Sequence, residues 1–89
     1  MKVSYQITVS GKVQNVGFRY YTVRMAQDYK IDGFVKNEPD GSVYIEAEGG
    51  KDAMETFVHR CRRGPQWARV DRCDIQEQQV MNYEGFRVK

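Results

Sequence analysis

The amino-acid sequence predicts one domain of the α+β class, with two helices on one face of an antiparallel sheet. The chain has 89 residues, which suffice for a single core. Apolar residues alternate in several short runs, as in half-buried strands, and recur every three or four positions in two longer runs, as in helices. The two patterns follow one another in the order β-α-β-β-α-β, with a short strand at the end.

The first strand and the first helix have the clearest patterns. Apolar residues occupy every second position of the strand at Val3, Tyr5, Ile7 and Val9. One apolar face of the helix is formed by Phe18, Thr22, Met25 and Tyr29. We expect this helix to run to about Lys30.

A hairpin follows the first helix. Residues 31–37 and 42–49 form two strand patterns, and Pro39 and Gly41 supply the dihedral angles of a tight turn between them. In the return strand, Val43, Ile45 and Ala47 are predicted to be buried, and the side chains between them point to the other face of the sheet.

The second half of the chain predicts a helix and two strands. The helix begins near Lys51 and Asp52 and ends at Gly64, since Pro65 follows. In residues 68–76 the apolar alternation slips by one position, which indicates a β-bulge. Residues 77–84 are predicted to be a loop, and Phe86 and Val88 a short strand. The complete order is that of the ferredoxin-like plait.

Composition restricts the classes of partner and cofactor. The formal net charge is only +2, from 14 Lys and Arg against 12 Asp and Glu, so no large polyanion is implied. No apolar run approaches a membrane span or a signal peptide, and we expect a soluble, cytoplasmic, monomeric protein. Cys61, Cys73 and His59 lack metal-site spacing, so we expect two reduced thiols and neither a metal nor another cofactor.

The segment between the first strand and the first helix predicts an anion-binding site. A helix begins with unpaired N–H groups and carries partial positive charge there, which suits a phosphate. Arg19 opens the helix, where a cation costs roughly 0.3–1 kcal/mol unless an anion is bound. The planar donors of its guanidinium could bind two oxygens of one phosphate. The predicted phosphate-binding loop consists of Gln14, Asn15, Val16, Gly17, Phe18 and Arg19.

Asn37 ends the second predicted strand, where the topology could bring it near Arg19. An asparagine side chain accepts a hydrogen bond through its carbonyl and donates through its amide, so it can orient a water molecule without becoming charged. On the local pattern alone, an ordinary turn residue before Pro39 is the better interpretation.

The loop lacks several residue types, and their absence excludes some mechanisms of phosphate transfer. The glycine spacing is not that of a nucleotide P-loop, and no cysteine or aspartate in the loop could form a phosphoenzyme. Direct attack by water remains. Without a metal, a covalent nucleophile or an evident general acid, the leaving group must depart unaided, as the carboxylate of an acyl phosphate does.

Two blocks of the sequence resemble the signatures of the acylphosphatase family. The first is the run from Gly11 through Gln14 to Arg19, and the second is Gly33-Phe34-Val35-Lys36-Asn37 with the turn that follows it. Gly64-Pro65, Ala68-Arg69-Val70 and Gly85-Phe86 also fit, so the similarity spans nearly the whole chain.

The resemblance implies a ferredoxin-like fold and metal-free hydrolysis of small acyl phosphates to carboxylate and inorganic phosphate. It implies that Arg19 binds the phosphate, that Asn37 orients the attacking water and that the backbone amides from Gln14 to Arg19 form the cradle. Asn15 stands where the family often has glycine. Because Asn tolerates positive φ, we expect the loop to form with some strain and a cost in affinity or rate.

Two other functions fit the same plait. One is RNA binding on the open sheet face, although Glu46 and Glu48 on the third strand would oppose phosphate there. A basic patch at Arg60, Arg62 and Arg63 has a simpler explanation as a helix C-terminus. The other is an anion-binding module with weak or no catalysis, which differs from an enzyme only in its turnover of acyl phosphates.

Overall fold

The chain folds into five strands and two helices, and the computed structural model describes residues 1–89. The elements are β1 (Lys2–Lys12), α1 (Phe18–Tyr29), β2 (Asp32–Asn37), β3 (Val43–Gly50), α2 (Lys51–Arg63), β4 (Arg69–Gln78) and β5 (Phe86–Val88). This order confirms the β-α-β-β-α-β arrangement and the short final strand predicted from the sequence. Neither helix has the length and apolar character that crossing a membrane requires.

All strands belong to one sheet, in the order β4-β1-β3-β2-β5. The pairs of β1 with β3 and β4, and of β2 with β3, are antiparallel. The predicted antiparallel pairing holds for β1 to β4, whereas the short final strand β5 pairs with β2 in parallel. β4 and β5 lie at opposite edges of the sheet, and the chain crosses between them at the end where β4 finishes. β5 therefore runs in the opposite direction to β4, which is the direction of β2.

The core lies between the sheet and the two helices. Ile45 faces Ile7 on one side and Val35 on the other, and all three side chains are fully buried. Met25 of α1 and Phe57 of α2 belong to the same cluster of buried apolar residues. Both helices thus cover one face of the sheet, as predicted. The cluster holds the end of β1, the start of α1 and the end of β2 in one rigid frame.

The fourth strand contains the bulge that the sequence predicts. Ser10 pairs with Arg72 and the next residue, Gly11, pairs with Val70, so Asp71 is the extra residue. The predicted end of this strand was wrong, because Glu77 and Gln78 continue it and pair with β1. Their side chains are not apolar, and pairing with β1 rather than burial keeps them in the sheet.

A short segment between β4 and β5 covers part of the sheet face opposite the helices. The N–H groups of Met81 and Tyr83 both donate to the carboxylate of Glu48, each at 2.8 Å. Alternation correctly places Glu48 on this face, but its side chain is 0% exposed rather than in solvent. Tyr44 and Tyr83 donate their hydroxyls to Glu46 at 2.6 Å each. The face therefore carries a closed network of hydrogen bonds.

The Glu48 carboxylate makes the stability of the fold vary with pH in the acid range. Burial pushes the pKa of Glu48 upward, but the N–H donors of Met81 and Tyr83 outweigh it and hold that pKa below its ordinary value of 4.5. A depressed folded-state pKa stabilises the protein above the unfolded-state pKa, and this stabilisation disappears as the pH falls through the folded-state value.

Glu48→Gln is therefore expected to lower the free energy of unfolding at pH 7 by about 1–3 kcal/mol, because the amide cannot accept both N–H bonds. The loss should shrink as the pH falls below 4.5. Urea unfolding of both proteins at pH 7 and at acid pH measures the difference. Glu55→Gln on the exposed face of α2 is the matched control. An equal loss at both pH values would contradict the assignment.

Both cysteines are free, as the sequence predicts. Cys61 is fully buried in the core, and Cys73 is half-buried on β4. Burial raises the pKa of both thiols, which lowers their nucleophilicity at neutral pH. Their role in this fold is packing.

Candidate active site

The loop between β1 and α1 is anchored at both ends and has an unusual backbone between the anchors. Val13 and Phe18 are each only 1% exposed. Asn15 has φ of 61° and Gly17 has φ of 79°, whereas Val16 between them does not have a positive φ. The expected positive φ at Asn15 is thus confirmed. When the sign of φ alternates along the backbone in this way, successive N–H groups turn toward a common centre, as in anion-binding nests.

The N–H groups of this loop have no acceptors within the protein. From Asn15 to Tyr20, no backbone N–H donates to a backbone or side-chain oxygen. Gly17 caps α1 without a side-chain hydrogen bond, and the first turn of the helix contains no acidic residue. The partial positive charge of the helix terminus is therefore not neutralised from within the chain.

Arg19 lies at this terminus with a free guanidinium. Its side chain is exposed, and none of the four ion pairs of the molecule includes it. It also makes no side-chain hydrogen bond within the protein. Two cationic features, the helix terminus and the guanidinium, thus lie together without an anion from the chain.

Arg19 and Asn37 line the same small cavity, of about 160 Å³. The sequence could not establish this meeting, because 17 positions separate them and only the sheet brings the end of β2 to the start of α1. The Asn37 side chain is half-buried and its amide has no hydrogen-bond partner within the protein. The cavity is lined by Val13, Asn15, Gly17, Phe18, Arg19, Tyr20 and Asn37. Larger concavities exist, but this one combines free N–H groups, a guanidinium and a carboxamide.

Gln14 and Val16 do not line this cavity, in contrast to the other four residues of the predicted loop. The Gln14 side chain points to the β2–β3 turn instead, where Nε2 donates to the carbonyl oxygens of Glu38 at 2.8 Å and Ser42 at 2.9 Å. Gln14 therefore joins the loop that carries Arg19 to the turn that follows Asn37.

The turn that receives Gln14 is itself closed by hydrogen bonds. Glu38 N–H donates to Ser42 O at 2.9 Å. The Ser42 hydroxyl and N–H donate to Asp40 Oδ1 at 2.6 Å and 2.9 Å, and they lower the pKa of that carboxyl. A turn held in this way gives Asn37, at its edge, a defined position relative to the loop.

Gln14→Leu is expected to lower kcat by about 10-fold or more while changing KM much less, because it frees the β2–β3 turn and displaces Asn37 relative to Arg19. The free donors near Arg19 are left in place. Steady-state hydrolysis of acetyl phosphate measures both constants. Gln79→Leu, at an exposed position in the β4–β5 segment, is the control. An unchanged kcat, or a rise in KM alone, would contradict this positioning role.

Sequence patterns did not identify three contributions to the site. Val13 and Tyr20 line the cavity at either end of the predicted loop, and the Gln14 side chain acts outside it. Tyr20 follows Arg19 on the first turn of α1, so helical geometry could have suggested it. The two long-range acceptors of Gln14 carry no sequence signal, since they are backbone carbonyls.

Comparisons of this chain with a family model, with relatives and with a solved structure all indicate the same family. The family model described as acylphosphatase matches residues 5–88. The chain is similar to an acylphosphatase of Archaeoglobus fulgidus, with 43% identity over 97% of each chain, and to one of Salinibacter ruber, with 45% identity over 99% of this chain and 92% of the other. It also superimposes on the crystal structure of acylphosphatase from Bacillus subtilis with a TM-score of 0.95 and 35% identity over 98% of each chain.

Proposed function

The chain belongs to the acylphosphatase family and hydrolyses small acyl phosphates, and we propose that Arg19 and Asn37 carry out this reaction at the loop from Gln14 to Arg19. The observation that carries this proposal is the convergence of unpaired donors on one cavity. Asn15 and residues 17–20 line the cavity with free N–H groups, beside the free guanidinium of Arg19 and the free amide of Asn37.

In this proposal the phosphoryl group lies in the loop, with its oxygens on the N–H donors and on Arg19. These donors stabilise the negative charge that spreads over the equatorial oxygens in a loose transition state. They are in place before the substrate arrives, so little reorganisation is needed. Asn15 keeps the alternating backbone that aims them, since Asn adopts positive φ more readily than most residues.

Asn37 then orients a water molecule for attack on phosphorus. The bond from the water oxygen to phosphorus forms as the bond from phosphorus to the carboxyl oxygen breaks. A carboxylate and inorganic phosphate leave, and the proton from water is released to solution. Because a carboxylate is a stable leaving group, the reaction needs no general acid from the chain.

An assay of phosphate release tests the mechanism. We expect turnover of acetyl phosphate and benzoyl phosphate in excess chelator, with little turnover of phenyl phosphate, whose phenoxide leaving group is much more basic than a carboxylate. Activity that disappears with chelator and returns with a divalent cation would contradict direct, metal-free attack by water. Comparable rates on phenyl phosphate would contradict the dependence on the leaving group.

We further propose that residues 1–89 act as one cytoplasmic, monomeric domain that binds no nucleic acid. One buried cluster joins both helices to the sheet, and two free thiols suit a reducing compartment. The sheet face used by RNA-binding plaits is partly covered here and carries Glu46 and Glu48. Sedimentation tests the monomeric state, and titration with labelled single-stranded RNA tests the absence of nucleic-acid binding.

A further inference from the structure

A second concavity adjoins the proposed phosphate site. It has a volume of about 400 Å³ and lies between α1 and the segment after α2. Tyr20 and Trp67 are two of its walls, and they are unusually exposed for aromatic side chains, at 67% and 72%. We call this concavity the aromatic groove; its other lining residues include Tyr21, Arg24, Asp28 and Arg60.

The aromatic groove adjoins the cavity that holds Arg19 and Asn37. Gly17 and Tyr20 line both. Gly17 has no side chain that could stand between the two, and the space around its Cα is open. An acyl group attached to a phosphoryl group in the loop would therefore have the groove beside it.

The cations of the groove hold its aromatic rings rather than remaining free. Arg24 Nη1 donates to the Tyr20 hydroxyl at 3.2 Å. The Arg60 guanidinium lies over the Tyr21 ring, 5.6 Å from its centroid, and donates to the Tyr29 hydroxyl at 3.3 Å. Each of these three tyrosines is thus in contact with a guanidinium.

We propose that the aromatic groove binds the acyl group of the substrate and favours aromatic acyl groups. This inference rests on the proposed position of the phosphoryl group in the loop. Exposed faces of indole and phenol offer stacking and edge contacts to a flat apolar ring. A methyl group, as in acetyl phosphate, is too small to reach across to Trp67 with comparable contact.

The groove carries charges of both signs beside its aromatic rings. Arg24 and Arg60 direct donors to tyrosine hydroxyls, and Asp28 adds a carboxylate to the same wall. A neutral aromatic ring can contact the exposed rings of Tyr20 and Trp67 without displacing either hydrogen bond.

The kinetic test compares two substrates in three proteins. Trp67→Ala is expected to raise KM for benzoyl phosphate about 3- to 10-fold and to leave KM for acetyl phosphate within about twofold. Trp67 is 72% exposed, so its removal leaves the core intact. Met81→Ala, which removes another exposed apolar side chain, is the control and should change neither constant. An equal change with both substrates, or none with either, would overturn the proposal.

A binding test separates this inference from the function on which it rests. Trp67 is the only tryptophan, so its fluorescence reports on the groove alone. Phenacylphosphonate, a benzoyl phosphate analogue with a methylene in place of the bridging oxygen, should inhibit hydrolysis and change this fluorescence saturably. Acetonylphosphonate and inorganic phosphate should inhibit without that change.

The possible outcomes of this binding test distinguish a failure of the groove proposal from a failure of the proposed phosphate site. Inhibition by phenacylphosphonate without a fluorescence change, and with equal strength in Trp67→Ala, would overturn the groove and leave the phosphate site standing. The same fluorescence change with inorganic phosphate would also overturn it, since the signal would then not require an acyl group. Inhibition by none of the three compounds would contradict the phosphate site itself.

Discussion

Arg19→Ala is expected to lower kcat/KM for acetyl phosphate by about 10³-fold, through both a higher KM and a lower kcat. The guanidinium has no partner within the protein, so its contacts with the phosphoryl oxygens would be its principal interactions. Charge-assisted hydrogen bonds of this kind act on the bound substrate and more strongly on the transition state. Steady-state kinetics in excess chelator measures both constants.

Two further variants make the Arg19 result specific. Arg63→Ala removes an exposed arginine at the end of α2, with the same loss of charge, and should leave both constants unchanged. Arg19→Lys keeps the charge without the planar pair of donors, and should recover only part of the rate. Equal losses in Arg19→Ala and Arg63→Ala would mean that net charge, and not a contact at the cavity, determines the effect.

Asn37→Ala is expected to lower kcat by about 10²- to 10³-fold while KM changes less than about threefold. Asn37 lines the cavity beside Arg19 and its amide has no partner within the protein, so alanine removes the orienting group and little else. Orientation of water contributes to the transition state and not to binding of the phosphoryl group. The split between kcat and KM is the measurement that distinguishes this role from phosphate binding.

The control for Asn37 is Gln76→Ala, which removes an exposed carboxamide from β4.

A double variant tests whether Gln14 acts through Asn37. If Gln14 acts by positioning Asn37, Asn37→Ala combined with Gln14→Leu should have nearly the same kcat as Asn37→Ala alone. Multiplied losses would show that Gln14 acts by another route, and wild-type kcat in Asn37→Ala would disprove the role of Asn37.

The order of elements could be predicted because it depends on local patterns. Alternation at Ile7 and Val9, and the helical spacing of Phe18 and Met25, describe which faces are buried. The bulge at Asp71 was visible for the same reason, since an extra residue shifts the alternation. The parallel pairing of β5 and the two final residues of β4 were not visible, because they depend on which strand is the neighbour.

The backbone of the loop between β1 and α1 was largely predictable, because a strand, a loop and a helix start follow one another in the chain. Positive φ at Asn15 and unpaired N–H groups at a helix start are properties of consecutive residues. The burial of Glu48 was not predictable. The N–H groups that donate to its carboxylate lie 33 and 35 positions away, and alternation describes only the face on which Glu48 lies.

Local sequence thus determined the order of elements and the backbone of the loop between β1 and α1. Only the tertiary structure decided that Asn37 meets Arg19, that Gln14 holds the two segments together and that Trp67 lies beside the same cavity. The physical reason is the distance along the chain over which the deciding interactions act. Backbone conformation and amphipathic faces arise from neighbours along the chain, whereas a site forms from side chains that the packed core brings together from distant positions.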